Sequence, residues 1–214
     1  MRGLAWLLVG CVLLAACTVG PDVAASSPPS GASPSTAVTI PGTGAATRWG
    51  DGPYGLVLLH PAGGSAAAWG PQAAAFAADG MTVLAPEATG PDALRTTISW
   101  LHDDLGLARV AVLAVSDAAG SVASLAASDA RLIDQAILIS PPAGLDWTAP
   151  FPKLFAASSG EPAAAAAREA EAQAAGTWNV LDLVDGSASG TAIFSSVGGS
   201  ALMSEVLRRL DDRR

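Results

Sequence analysis

The 214-residue chain has no cysteine after residue 17, only two histidines, and few charged or aromatic side chains (14% and 5%). Cys11 and Cys17 sit in the first twenty residues, so disulfides and thiolate metal sites are excluded from everything downstream. His60 and His102 are the only imidazoles, and any imidazole chemistry must pass through one of them. Eleven Lys and Arg are scattered along a chain of formal charge -8, which denies it the basic face of a nucleic-acid binder. Gly63-Gly64-Ser65 has no lysine to make a phosphate-binding Walker loop. Gly42 and Gly44 precede no buried strand and helix in the order that a dinucleotide fingerprint requires. The paired carboxylates Asp103-Asp104 and Asp211-Asp212 read as solvated charge at helix ends rather than metal ligands. Neither a metal nor a cofactor is implied. What the chain does have is apolar residues, at 50%, which rules out full disorder. Forty-seven of them are alanine, so the expected core is tight and made of small side chains.

The start of the chain reads as an address. Met1-Arg2 precedes an apolar run from Leu4 to Ala16. At about thirteen residues it is short of the roughly 20 needed to span a bilayer, and fits a secretory signal. The run ends in Leu14-Ala15-Ala16-Cys17, which resembles a bacterial lipobox. Leu8-Val9-Gly10-Cys11 has the same pattern but comes too early to leave a full apolar segment. The resemblance implies that residues 1–16 are removed, that Cys17 carries acyl chains, and that the protein is exported. It would then be anchored to the cell membrane on the side away from the cytoplasm. An ordinary signal peptide, or an uncleaved anchor, is the alternative. Residues 17–36, rich in Pro, Ser, Gly and Ala, read as a tether, leaving 37–214 as the folded domain.

That domain alternates strand and helix. Leu56–Leu59 is a continuous apolar run, as expected of a strand buried on both faces. Strands are also predicted at Met81–Pro86, Arg109–Val115, Gln135–Ile139, Lys153–Ala157 and Trp178–Val184. Helices are predicted at 65–79, Asp92–Leu105, Asp117–Ala127, Pro162–Ala175 and Ala201–Leu210. Segments 37–40 and 45–49 suggest an N-terminal hairpin. The pattern argues for an α/β fold: a mostly parallel, doubly wound sheet with helices on both faces. Trp69, Trp100, Trp147 and Trp178 read as core and rim packing. In such sheets sites lie at the carboxyl ends of strands.

Two of those ends carry a resemblance. His60-Pro61-Ala62-Gly63-Gly64-Ser65 follows the first buried strand, and Ala114-Val115-Ser116-Asp117-Ala118 follows the third. Together, and in this order across most of residues 50–210, they resemble the α/β-hydrolase superfamily. The short connection from Ser140 to Pro152 resembles members without a cap domain. The resemblance implies that Ser116 occupies a strained strand-to-helix elbow as nucleophile. The backbone N–H of Asp117, with that of Ala62 or Gly63, would line the oxyanion hole, since Pro61 has no N–H. Glu161 falls at the position of the triad acid. Ser189 falls where the family places its histidine, and both elbow glycines are replaced by Ala114 and Ala118. A serine cannot serve as a base near neutral pH, and His60 is the only substitute at that end of the sheet. His102 is expected at the opposite end, as a surface residue near a helix terminus.

Three readings follow. The first is a membrane-anchored, hydrolase-like domain with an incomplete triad, binding a small molecule or an envelope partner with little turnover. The second is an active serine hydrolase of carboxylesterase type, using Ser116 with a non-standard base. The third is a structural spacer.

Overall fold

The computed structural model describes residues 34–213. The signal segment, Cys11, Cys17 and most of the tether lie outside the described residues.

Eight strands form one sheet: β1 (Ser35–Ile40), β2 (Gly44–Trp49), β3 (Tyr54–Leu59), β4 (Met81–Pro86), β5 (Arg109–Val115), β6 (Gln135–Ile139), β7 (Lys153–Ser158) and β8 (Val180–Val184). Their spatial order is β1-β2-β4-β3-β5-β6-β7-β8; β2 pairs antiparallel with β1 and β4, and the pairings from β4 to β8 are parallel. The long helices are α1 (Gly70–Ala78), α2 (Pro91–Asp103), α3 (Ala119–Asp129), α4 (Ala163–Gln173) and α5 (Gly199–Asp211). Among the described residues no helix is long and apolar enough to cross a membrane.

The strand alternation sorts the core into two layers. Val57 and Leu59 on β3, and Val110, Val112 and Ala114 on β5, pack under α2, α3 and α4. Leu56 and Leu58, with Ala111, Leu113 and Val115, pack under α1 and α5. Period-two alternation puts both sets on opposite faces, and both faces are covered, so every one of these positions is apolar. Alanine supplies most contacts of two helices: Ala119, Ala123 and Ala126 on α3 and Ala164, Ala167 and Ala170 on α4 are buried, while α2 packs through Leu94, Ile98 and Leu101 and α5 through Leu202, Val206 and Leu210. Aromatic contacts are few, and Trp147 meets Phe155 edge-on at 5.6 Å.

The buried strands β4, β5 and β6 run as their sequences predict; the differences lie at turns. The hairpin begins at Ser35 rather than 37, because Ser35 and Thr36 pair with Trp49 and Arg48. β8 begins at Val180 rather than Trp178, because Trp178 takes a left-handed φ of 71° and cannot continue a strand. A tight 3-10 turn over Ser116–Ala118 delays α3 to Ala119. The connection 140–152 contains no helix or strand.

Lys153, the chain's sole lysine, is fully buried at the start of β7. Its ammonium donates to the carbonyls of Ala149, Phe151 and Ala175, at 2.5, 2.9 and 3.0 Å. Burial still disfavours its charge, and its pKa is pushed down to about 8.

Candidate active site

The carboxyl ends of β3, β5, β6, β7 and β8 converge on one rim. Ser116, directly after β5, has a φ of 50°. A non-glycine residue there is strained by about 1–3 kcal/mol, which persists only where surroundings enforce it. The small residues around the turn are what permit it: Ala114, Ala118 and Ala119 are all buried. The serine side chain caps neither the 3-10 turn nor α3, so a helix cap does not account for it. A β-carbon added at Gly190 would lie 3.6 Å from Ser116 Oγ, which places the loop after β8 against the elbow. Ser189, immediately before Gly190, is exposed.

The loop after β3 wraps the other side. Gly63 takes a φ of 76°, and the N–H of Gly64 donates to the carbonyl of Pro61 at 2.9 Å. A β-carbon on Gly64 would sit 3.0 Å from that carbonyl oxygen, so glycine keeps the turn tight. His60 is 4% exposed, with Nδ1 2.9 Å from the carbonyl of Pro61 and Nε2 3.2 Å from the carbonyl of Glu87. Nδ1 thus faces the loop's own backbone and Nε2 the backbone of the residue after β4. A base must come within about 2.6–3.2 Å of the proton it removes. Among the described residues no hydrogen bond joins His60 to Ser116. The side chain braces the loop between β3 and the residue after β4.

Asp117 does something that its sequence position did not announce. Its two carboxylate oxygens accept from the N–H of Ala62, at 3.1 and 3.2 Å. Ala62 is one of the two residues, with Gly63, that the resemblance offers as a second oxyanion donor, and its N–H faces a carboxylate from within the chain.

Glu161 is 7% exposed. Its Oε1 accepts from the backbone N–H of Ser158 at 2.7 Å and from the hydroxyl of Ser140 at 2.8 Å. The same Ser140 oxygen accepts from the N–H of Gly190 at 3.0 Å. Ser140 therefore links the acid after β7 to the loop after β8. It too has a φ of 50°, directly after β6. Ser158 adds a second tie, its hydroxyl donating to the carbonyl of Ala188. Sequence reasoning missed Ser140 and Ser158, since Ser140-Pro141 reads as an ordinary loop start. The available signal was position: Ser140 follows its strand as Ser116 follows β5.

His102 lies at the other end of the sheet, its Nδ1 2.5 Å from the carbonyl of Leu107. The expectation that the four named tryptophans are packing residues holds for Trp69 and Trp147, which are buried, but not for Trp178, which is 73% exposed. Its left-handed backbone turns the indole outward instead of into the strand's face.

With this geometry in view, comparison with solved structures is decisive for the architecture. An esterase of Pyrobaculum calidifontis superposes with a TM-score of 0.69 at 15% identity, over 84% of this chain and 86% of that one. A predicted CIB-like hydrolase of Thermoplasma acidophilum gives 0.64 at 16% identity, over 85% and 99%. A thermostable carboxylesterase cloned from a metagenomic library gives 0.65 at 14% identity, over 83% and 87%. The fold is that of the α/β-hydrolases. No family model and no curated protein matches the sequence. At these identities the likeness concerns the fold alone. Ser116, Glu161 and the Ser189–Gly190 segment stand after the carboxyl ends of β5, β7 and β8.

Proposed function

We propose that this chain is a membrane-tethered α/β-hydrolase-like domain with an incomplete triad, which holds a small-molecule or envelope ligand with little turnover. One observation carries the reading: the Asp117 carboxylate sits on the Ala62 N–H, where a reacting oxyanion would need that donor free. A second agrees with it. Ser189 stands where the family has a histidine, and a hydroxyl without a base is a poor nucleophile. The membrane tether rests on the lipobox-like Leu14–Cys17 segment. Binding without turnover also suits a site whose acid is tied to Ser140 rather than to an imidazole.

The competing reading is an active serine hydrolase of carboxylesterase type. What favours it is that Ser116 keeps the strained elbow conformation, at a φ of 50°. The test is a fluorophosphonate probe on the full-length chain beside Ser116→Ala, with folding checked by circular dichroism. We expect no labelling that the control removes. Labelling lost in Ser116→Ala would overturn the incomplete-triad reading and establish an activated serine. The tether has its own test: Cys17→Ser should abolish incorporation of labelled fatty acid.

A further inference from the structure

The amino ends of the strands, opposite Ser116, border a hollow of about 410 Å³. It adjoins a second of about 220 Å³, and the two share Pro152, Trp178 and Arg213. The larger volume falls within the range of small-molecule sites, about 300–1,000 Å³, and the smaller extends it. Open α/β sheets normally bind at their carboxyl ends, so this hollow belongs to no site described above.

Three features make it more than a gap between loops. The first is Trp178, 73% exposed and one of two exposed large apolar side chains among the described residues. Its left-handed φ of 71° is held in place: the carbonyl of Trp178 accepts from the guanidinium of Arg209, which is 7% exposed and also donates to the carbonyl of Lys153 at 3.3 Å. A strained residue fixed by a buried cation, with its indole left in water, is what a binding platform requires and what packing alone does not. The second is charge. Arg109, Arg131 and Arg213 line the hollow with Asp134, and Arg209 and Asp212 line the adjoining one, which leaves cations in excess in a chain of net charge -8. Arg213 is already paired with Asp134 at 3.0 Å. Arg109 meets the carbonyl of Arg213, and Arg131, with a 93% exposed side chain, is 3.5 Å from Asp129. The third is wall chemistry, since Phe151 and the prolines beside it give the hollow an apolar side.

We propose that this hollow binds a small ring compound bearing a carboxylate or phosphate. The ring's flat face lies on the Trp178 indole, and its anionic group meets the guanidinium forks of Arg109 and Arg131. Guanidinium groups match both anions in geometry. A sugar acid or sugar phosphate and an aromatic acid share this chemistry. The site is independent of whether Ser116 reacts.

Isothermal titration of the full-length chain with glucuronate, glucose 6-phosphate and benzoate tests it, with glucose as the neutral control. At least one anionic probe should bind in the millimolar range or better, and glucose at least about tenfold more weakly. Which probe binds distinguishes the saccharide source from the aromatic one. Trp178→Ala and Arg109→Gln should each weaken binding at least about tenfold. Should Trp178→Ala fail to fold by circular dichroism, Arg131→Gln takes its place. No binding of any anionic probe at about 10 mM, equal binding of glucose, or unchanged binding in either variant overturns the proposal.

Discussion

The Asp117 carboxylate accepts from the Ala62 N–H with both oxygens, at 3.1 and 3.2 Å, one residue after the strained Ser116. The contact joins the turn after β5 to the loop after β3. It places a carboxylate on an N–H that the proposed reading offers, with that of Gly63, as a donor to a developing oxyanion. Asp117→Ala should free that donor. Asp117 is exposed, so the stability loss should stay near the low end of a hydrogen bond's net worth, about 0.5–1.5 kcal/mol. Chemical denaturation measures that loss. Fluorophosphonate labelling of the same variant should rise above the parent's, and labelling that stays at the parent's level would show that Asp117 is not what limits Ser116.

Ser140 joins Glu161 to the Gly190 N–H through a single hydroxyl. Ser140→Ala leaves a buried carboxylate short of one donor and a buried N–H without an acceptor, at an expected cost of about 2–3 kcal/mol. Ser140→Gly loses the same bonds but relieves the φ of 50°. It should therefore be less damaging by about 1 kcal/mol. Equal midpoints for the two variants in urea would argue that the backbone there is unstrained.

Placing a histidine at position 189 is the direct test of the incomplete-triad proposal. Ser189→His alone should leave ester hydrolysis near background, because Glu161 Oε1 is already engaged by Ser140 and the Ser158 N–H. Combining it with Ser140→Ala and Asp117→Ala should raise the rate above any single change, because the acid then loses its side-chain donor, keeping only the Ser158 N–H, and the Ala62 N–H is freed. A p-nitrophenyl acetate assay reads this, and a triple variant no faster than Ser189→His would remove the idea that these two contacts limit the site.

Much of this was legible in the sequence, and the rest had physical reasons for being hidden. Strands β4, β5 and β6 were readable to the residue because each is a mostly apolar, almost wholly buried run closed by a turn residue. The ends of α3 and β8 were not, because a 3-10 turn and a left-handed Trp178 are set by tertiary contacts. Ser116 and Glu161 could be placed by their strands. The side-chain role of Asp117 could not, since its partner is 55 residues away. Ser140 was invisible for the same reason: its two partners come from β7 and the loop after β8.

Stability should respond to alkaline pH through two buried groups of opposite sign. Lys153 titrates at about 8 when folded and 10.5 ordinarily, so the unfolded chain binds the extra proton between these values. Stability from this group therefore rises with pH across that window, by at most about 3 kcal/mol. Tyr54 has its pKa raised, chiefly by burial, so the folded chain holds the proton longer and stability falls once pH passes the ordinary phenol value near 10.0. Thermal melts should thus climb from pH 8 to about 10 and then turn over. Lys153→Met should lose the climb and Tyr54→Phe the decline. A flat profile in the parent would mean that the ammonium is as well solvated by its three carbonyls as by water.

The burial of Lys153 also makes the protein its own reporter. The chain has one lysine, and none of that residue's surface reaches solvent. Amine-directed acylating reagents will find no side-chain target on the native surface. Any lysine adduct marks a molecule that opened around the start of β7. Modification of this one position therefore counts opening events directly, and immobilisation or crosslinking through lysine would sample only molecules that had already lost that part of the fold.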